Sequence, residues 1–209
     1  MITIPSVTDD NLPGLTALLK KSTAPFFVNV CPDSLAEKNE CFDNVAAMVQ
    51  RQSGERVVGW QLWKHPFMLE AEYHAVWRSP AGELQDITPK NIPTDKILFV
   101  EDPDSPYDGQ QLDNIRLNTS GNLLIDDFIA LARAKFYLFS GGEKARMKMV
   151  TLTPNELEIL KYVNGVMDGV FKMIEKNNVR NSPCFCLSNL KYKHCHGKDL
   201  IVYLNSIQS

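Results

Sequence analysis

With 209 residues, 44% of them hydrophobic and 22% charged, the chain has the composition of a globular protein with a sizeable core, not of a disordered or fibrous one. A formal net charge of -3 provides no bulk attraction for nucleic acid, and the opening MITIPSVTDD lacks the basic-then-apolar order of a signal peptide. No apolar run approaches the roughly 18 to 20 residues that span a bilayer, so the expectation is a cytoplasmic protein with no membrane partner.

Leu12, Leu15, Leu18 and Leu19 fall at helical spacing, and Thr8 and Asp9 before them can cap, which predicts a first amphipathic helix over residues 9–22. A short apolar piece over residues 26–30 leads into the turn-like Cys31-Pro32-Asp33-Ser34, where Cys31 reads as structural. Phe42, Val45, Ala46, Met48 and Val49 then predict a helix over residues 41–52 with Cys41 at its N-terminus. From Arg56 the period changes: RVVGWQLW and FMLEAEYHAVW are β-branched and aromatic, and Lys64-His65-Pro66 reads as their hairpin connection. The turn Ser79-Pro80-Ala81-Gly82, then ELQDIT and KILFV, add two further strands, so the middle of the chain is expected to be an antiparallel meander. Residues 101–122 are polar, with two prolines and two glycines, and read as a linker. Beyond it, LLIDDFIALARAKFYLF predicts a helix stopped by Ser140-Gly141-Gly142. Thr153-Pro154-Asn155-Glu156 supplies the cap, first-turn proline and capping-box carboxylate of a second helix reaching about residue 177.

Five cysteines, three of them in the last 26 residues, argue against a secreted disulfide framework. Cys184 and Cys186 form a close sulfur pair, and eight residues separate them from the adjacent Cys195 and His196. Three thiolates and one imidazole suit a closed, tetrahedral, structural zinc site, and so short a segment would draw its folding free energy from the metal. The stretch resembles the SEC-C motif, whose pattern of Cys-x-Cys, a Gly-Ser-Gly turn, Lys-Tyr-Lys, then Cys followed by Cys or His is matched by Cys184, Cys186, Lys191, Tyr192, Lys193, Cys195 and His196. The motif selects His196 over its neighbour His194 as the fourth ligand. Leu187-Ser188-Asn189 replaces the glycine-rich turn; Asn189 tolerates a left-handed backbone, whereas Leu187 adopts one only at a cost. The resemblance implies a zinc knuckle that docks a protein partner.

A nucleophilic cysteine needs a favoured thiolate, an imidazole to move protons and a third group to hold that imidazole. Cys41 at a helix N-terminus, His74 in EAEYHAVW and Asp86 in ELQDITP supply these in order. The arrangement resembles the transglutaminase-like branch of the papain-type cysteine enzymes, in which the His-bearing strand runs on through aromatic residues and the Asp is followed by Thr and Pro, as with Trp77, Thr88 and Pro89 here. Cys41-Phe42-Asp43-Asn44-Val45 is similar to the nucleophile segment of the N-terminal glutamine amidohydrolases.

These resemblances imply an α+β fold with a papain/transglutaminase-like domain over residues 1–105, a linker and helical region over 106–180, and a zinc-binding tail over 181–209. They imply a thiol-dependent amide hydrolase or acyl transferase acting on a protein or peptide, with Cys41 as nucleophile, His74 as proton carrier and Asp86 as its orienter. The backbone N–H of Cys41 would bind the oxyanion; for a second donor, Trp60 and the segment before Cys41 both stand open. The competing expectation is a non-enzymatic zinc-binding adaptor with the same domain shape.

Overall fold

The computed structural model describes residues 1–20, 23–147 and 149–207, so the last two residues of the expected first helix and of the expected tail lie outside it. The chain forms two compact units, residues 1–108 with 114–119 and residues 109–113 with 120–209. Among the described residues, no helix is long and apolar enough to cross a membrane.

In the first unit, α1 (Leu12–Leu19) buries Leu12, Leu15 and Leu19. Its N-cap position is Asn11, not Thr8 or Asp9; Asp9 Oδ1 instead accepts the Asn11 backbone N–H at 3.0 Å, just outside the helix. The second helix, α2 (Cys41–Gln52), begins on the expected residue, with Asp43 in its first turn and Cys41, Asn44, Val45 and Met48 on the buried side. Those four positions recur at three and four residues, the spacing of one helix face.

Among the described residues six strands make the sheet: β1 (Phe26–Val30), β2 (Glu55–Lys64), β3 (Met68–Arg78), β4 (Leu84–Asp86), β5 (Lys96–Glu101) and β6 (Ile115–Asn118). The hairpin β2–β3 pairs antiparallel along its whole length, from Glu55 opposite Arg78 to Lys64 opposite Leu69. Beyond the hairpin the expected meander gives way to crossed pairings. The fourth predicted strand, β5, crosses to pair with β2 and β1, and β1 lies parallel to β4. The order β2-β5-β1-β4-β3, with β2 also bonded to β3, closes five strands into a small barrel, and β6 extends the edge of β3. Val28, Val57, Val76, Ile97 and Phe99 fill one core, while Cys41, Val45 and Met48 of α2 pack on Ala75, Trp77 and Ile87 in another. The architecture is thus mixed α+β. The expected linker over residues 101–122 contains β6, which registers Ile115 against Ala71 and Asn118 against Met68.

The barrel wall has a gap. Along the edge of β3 away from β2, β4 pairs only with Trp77 and Arg78, and β6 only with Met68 to Ala71. His74 sits in the interval between them.

The second unit is helical. Asn122 caps α3 (Leu123–Ser140) by accepting the Leu124 N–H at 3.1 Å, and Thr153 and Glu156 form the full capping box of α4 (Pro154–Glu175). A short 3-10 helix (Gly142–Arg146) follows α3, and a final helix, α5 (Leu200–Ile207), buries Leu200 and Leu204 beyond the cysteine-rich segment.

Gly59 stands opposite His74 in the hairpin, where a Cβ would overlap the Val100 carbonyl oxygen and meet the Phe99 ring at 2.5 Å. Gly59→Ala is therefore expected to destabilise the first unit by roughly 3 kcal/mol or more. Denaturant unfolding checks this, and a loss under about 1 kcal/mol would contradict that packing.

Candidate active site and metal centre

Cys41 occupies the first position of α2, where the leading N–H groups have no intrahelical acceptor and favour an anion. Strand alternation sends His74 to the face of β3 opposite Ala75, against which Cys41 packs. The gap in the wall reconciles the two: Cys41 and His74 line one cleft of about 240 Å³, together with Gln61, Thr88 and Lys90.

Asp86, with no exposed surface, accepts from His74 Nε2 at 3.0 Å. A carboxylate only accepts, so Nε2 carries the proton and Nδ1 is the ring nitrogen left for other work. The same Oδ2 pairs with the Lys90 ammonium, which brings Lys90 Nζ to 3.2 Å from His74 Nε2; two donors share one acceptor. Burial alone would depress the His74 pKa, but the neighbouring Cys41 and Asp86 outweigh both burial and the Lys90 charge and raise it to about 9. Burial would raise the Asp86 carboxyl, and the His74 and Lys90 charges instead hold it below its ordinary value.

The other oxygen of Asp86 accepts the Thr88 N–H at 3.0 Å, and the Thr88 hydroxyl receives Asn44 Nδ2 at 3.2 Å. Asn44 lies one turn along α2 from Cys41, and its amide also closes a reciprocal pair with the Glu37 backbone at 2.9 and 2.7 Å. The Thr after the Asp and the Asn after the Cys thus tie α2, which carries Cys41, to the strand whose Asp86 holds the histidine. At the rim, burial would raise the Glu70 carboxyl, but His65, Arg116 and Asn114 draw it down to about 2.

The cleft also holds residues that the sequence pattern did not single out. Trp60, one of the open oxyanion donors, is absent from its lining, and its Nε1 donates to Asp102 at 2.9 Å. The adjacent Gln61 faces the cleft instead, 1% exposed, with Oε1 accepting from Lys90 Nζ at 2.8 Å. A glutamine amid Val, Trp and Leu on a buried strand was its visible signal. Cys31 is exposed and lies outside this cleft.

In the second unit, the ligand atoms of Cys184, Cys186, Cys195 and His196 all fall within 4.8 Å of one another. Sγ of Cys184 is 3.3 Å from His196 Nδ1, and Sγ of Cys195 is 3.5 Å from both Cys186 Sγ and His196 Nδ1. Tetrahedral ligation at the usual metal–sulfur and metal–nitrogen lengths needs edges of about 3.6 to 3.8 Å, so the donor set fits one metal ion with little movement. The hydroxyl and backbone N–H of Ser188 hold the Cys186 thiol down to about 6, toward the ligating thiolate, whereas burial pushes Cys184 up. His194, the rival, is outside the cluster.

The turn between the two halves of the cluster takes the conformation that the missing glycines would have favoured: Leu187 has φ 60° and Asn189 φ 62°. A left-handed Leu costs about 1 to 2 kcal/mol, which ligation of the flanking cysteines can offset. Behind the cluster, fully buried Tyr192 packs where a Cβ on Gly197 would strike its ring, Arg180 donates to the Gly197 carbonyl at 2.7 Å, and Arg180 Nε pairs with Asp127 of α3 at 3.1 Å. Phe185 packs on His196 with ring centroids 4.5 Å apart at a tilt of 38° and sits over Gly169 of α4.

Residues 180–198 match the SEC-C motif. No curated protein and no solved structure matches the chain.

The two sites have measurable consequences. Elemental analysis should find one metal ion per chain, and a chelator should lower the thermal midpoint of the second unit by roughly 10 °C or more; a midpoint indifferent to chelation would contradict the fit. The His74 pKa lies above its unfolded value of 6.5, so its stabilisation is complete below that pH and is lost as pH rises through about 9. In His74→Gln the slope of stability against pH across that window should flatten, as read from denaturant midpoints; an unchanged slope would assign it to other groups.

Proposed function

We propose that the first unit is a cysteine-dependent amide hydrolase or acyl transferase of papain/transglutaminase-like type, with a protein or peptide substrate, and that the second carries a zinc-binding docking element. The observation that carries the enzymatic reading is a helix-leading Cys41 in one cleft with a buried His74 whose Nε2 is bonded to Asp86. With Nε2 committed, His74 would take the Cys41 proton through Nδ1 and return it to the leaving group. Asp86 would keep the ring in that tautomer. The thiolate would attack the amide carbonyl, the amine would leave, and water or a second amine would resolve the thioester.

Zinc is the metal that three thiolates and one imidazole suit best, and the complete protein ligand set favours a structural role. Leu187 and Leu190 are exposed beside the cluster, 87% and 50%, which supports docking to a protein surface. A second reading has its own support: Cys41 is 8% exposed and belongs to an apolar cluster with Val45, Met48, Ala75, Trp77 and Ile87, as a structural thiol in an adaptor would.

Labelling with iodoacetamide, quantified by peptide mass spectrometry, separates the two. The enzymatic reading expects Cys41 to alkylate faster than exposed Cys31 despite its burial, and His74→Ala to slow Cys41 by about 10² or more. A Cys41 that reacts more slowly than Cys31 and ignores His74 leaves the adaptor.

A further inference from the structure

Gln61 presents an unusual balance of hydrogen bonds. Among the described residues its buried amide nitrogen has no partner, although a buried donor left unpaired is destabilising. The amide cannot escape this by flipping. Lys90 Nζ only donates, and at 2.8 Å it requires the oxygen of Gln61 at its own end, so the nitrogen is the end left free. Lys90 is itself fixed, since its ammonium pairs with fully buried Asp86 and its side chain is 9% exposed. Asp86 thus orients two groups in the cleft, His74 directly and the Gln61 amide through Lys90.

The register places this side chain beside His74. Gln61 lies opposite Glu72 and Gly59 opposite His74, so Gln61 and His74 are diagonal neighbours on one face of the hairpin. Both line the cleft with Cys41. An unpartnered N–H in such a cleft is suited to an oxygen that arrives with the substrate.

We propose that Gln61 is a catalytic residue whose Nε2–H, oriented by Lys90, donates to the carbonyl oxygen of the acyl substrate and to the oxyanion that forms there. This rests on the reading of Cys41 as nucleophile. As the Cys41 sulfur bonds to the carbonyl carbon, the π pair of the C=O moves onto oxygen, and the Gln61 donor stabilises that charge. When the pair returns, the bond to the leaving group breaks and the leaving group departs with the electrons of that bond.

Two reagents tell this role from general support of the thiol. p-Nitrophenyl acetate acetylates a cysteine through an oxyanion and releases p-nitrophenolate, whereas iodoacetamide alkylates by displacing iodide and forms none. In the full-length protein, Gln61→Met, which keeps the volume and removes the donor, and Gln61→Ala should each slow Cys41 acetylation by about 10² to 10³. Cys41 alkylation should stay within about threefold, because no donor to an oxyanion enters that step. Peptide mass spectrometry follows Cys41 apart from Cys31, and the Met variant, which keeps the side-chain volume and leaves Lys90 its pair with Asp86, provides a folded protein if the Ala variant does not. Equal losses with both reagents, or none with either, would overturn the assignment while leaving Cys41 as nucleophile. A wild-type Cys41 no more reactive than Cys31 toward both reagents would overturn the nucleophile, and Gln61 with it.

Discussion

A carboxylate with no exposed surface must be surrounded by donors, and meeting that requirement for Asp86 organises the first unit. One oxygen takes His74 and Lys90, and the other takes the Thr88 backbone. Each partner carries the constraint further: Thr88 to Asn44 on α2, Lys90 to the Gln61 amide on β2, His74 to the gap in the barrel wall that Cys41 shares. Helix, hairpin and short strand are held in one arrangement by a single buried charge. Removing that charge would leave an ammonium and an imidazole buried side by side, which is costlier than the loss of a surface ion pair.

The second unit solves a different problem with different chemistry. Residues 180–198 form a segment too short for a core of its own, with two supports at hand: four side chains that could hold a metal, and anchorage on the helices through Tyr192, Arg180 and Phe185. The strained Leu187 marks where a bound metal would act. Its left-handed backbone joins two halves of a ligand set that would have little reason to meet otherwise.

Local signals were legible in the sequence, and long-range ones were not. The Thr153–Glu156 capping box, the start of α2 at Cys41 and the β2–β3 hairpin each depend on residues a few positions apart, and each stands where its pattern placed it. The parallel pairing of β1 with β4, and the step of β5 to β2, are choices among strands of similar composition and leave no local mark. β6 is hard to see because its four residues lie inside a polar stretch. In the candidate site, Cys184, Cys186, Cys195 and His196 were visible because metal ligands must be close in sequence in so short a segment. His74 and Asp86 were visible as neighbours on successive strands, and the structure brings them to 3.0 Å. Gln61 left only the trace of one polar residue in an apolar strand, and its pairing with Lys90 left none, since the two lie 29 positions apart in the chain.

The enzymatic reading requires Cys41 and His74 to act on each other across the cleft. A pH titration of the His74 imidazole by nitrogen NMR, in the native protein and in Cys41→Ala, tests it directly. If the thiol and the imidazole are coupled, removing the sulfur takes away a charge that favours the imidazolium, and the His74 midpoint falls from its value of about 9. A midpoint that does not move when the sulfur is removed would mean that the two groups share a cleft without sharing a proton.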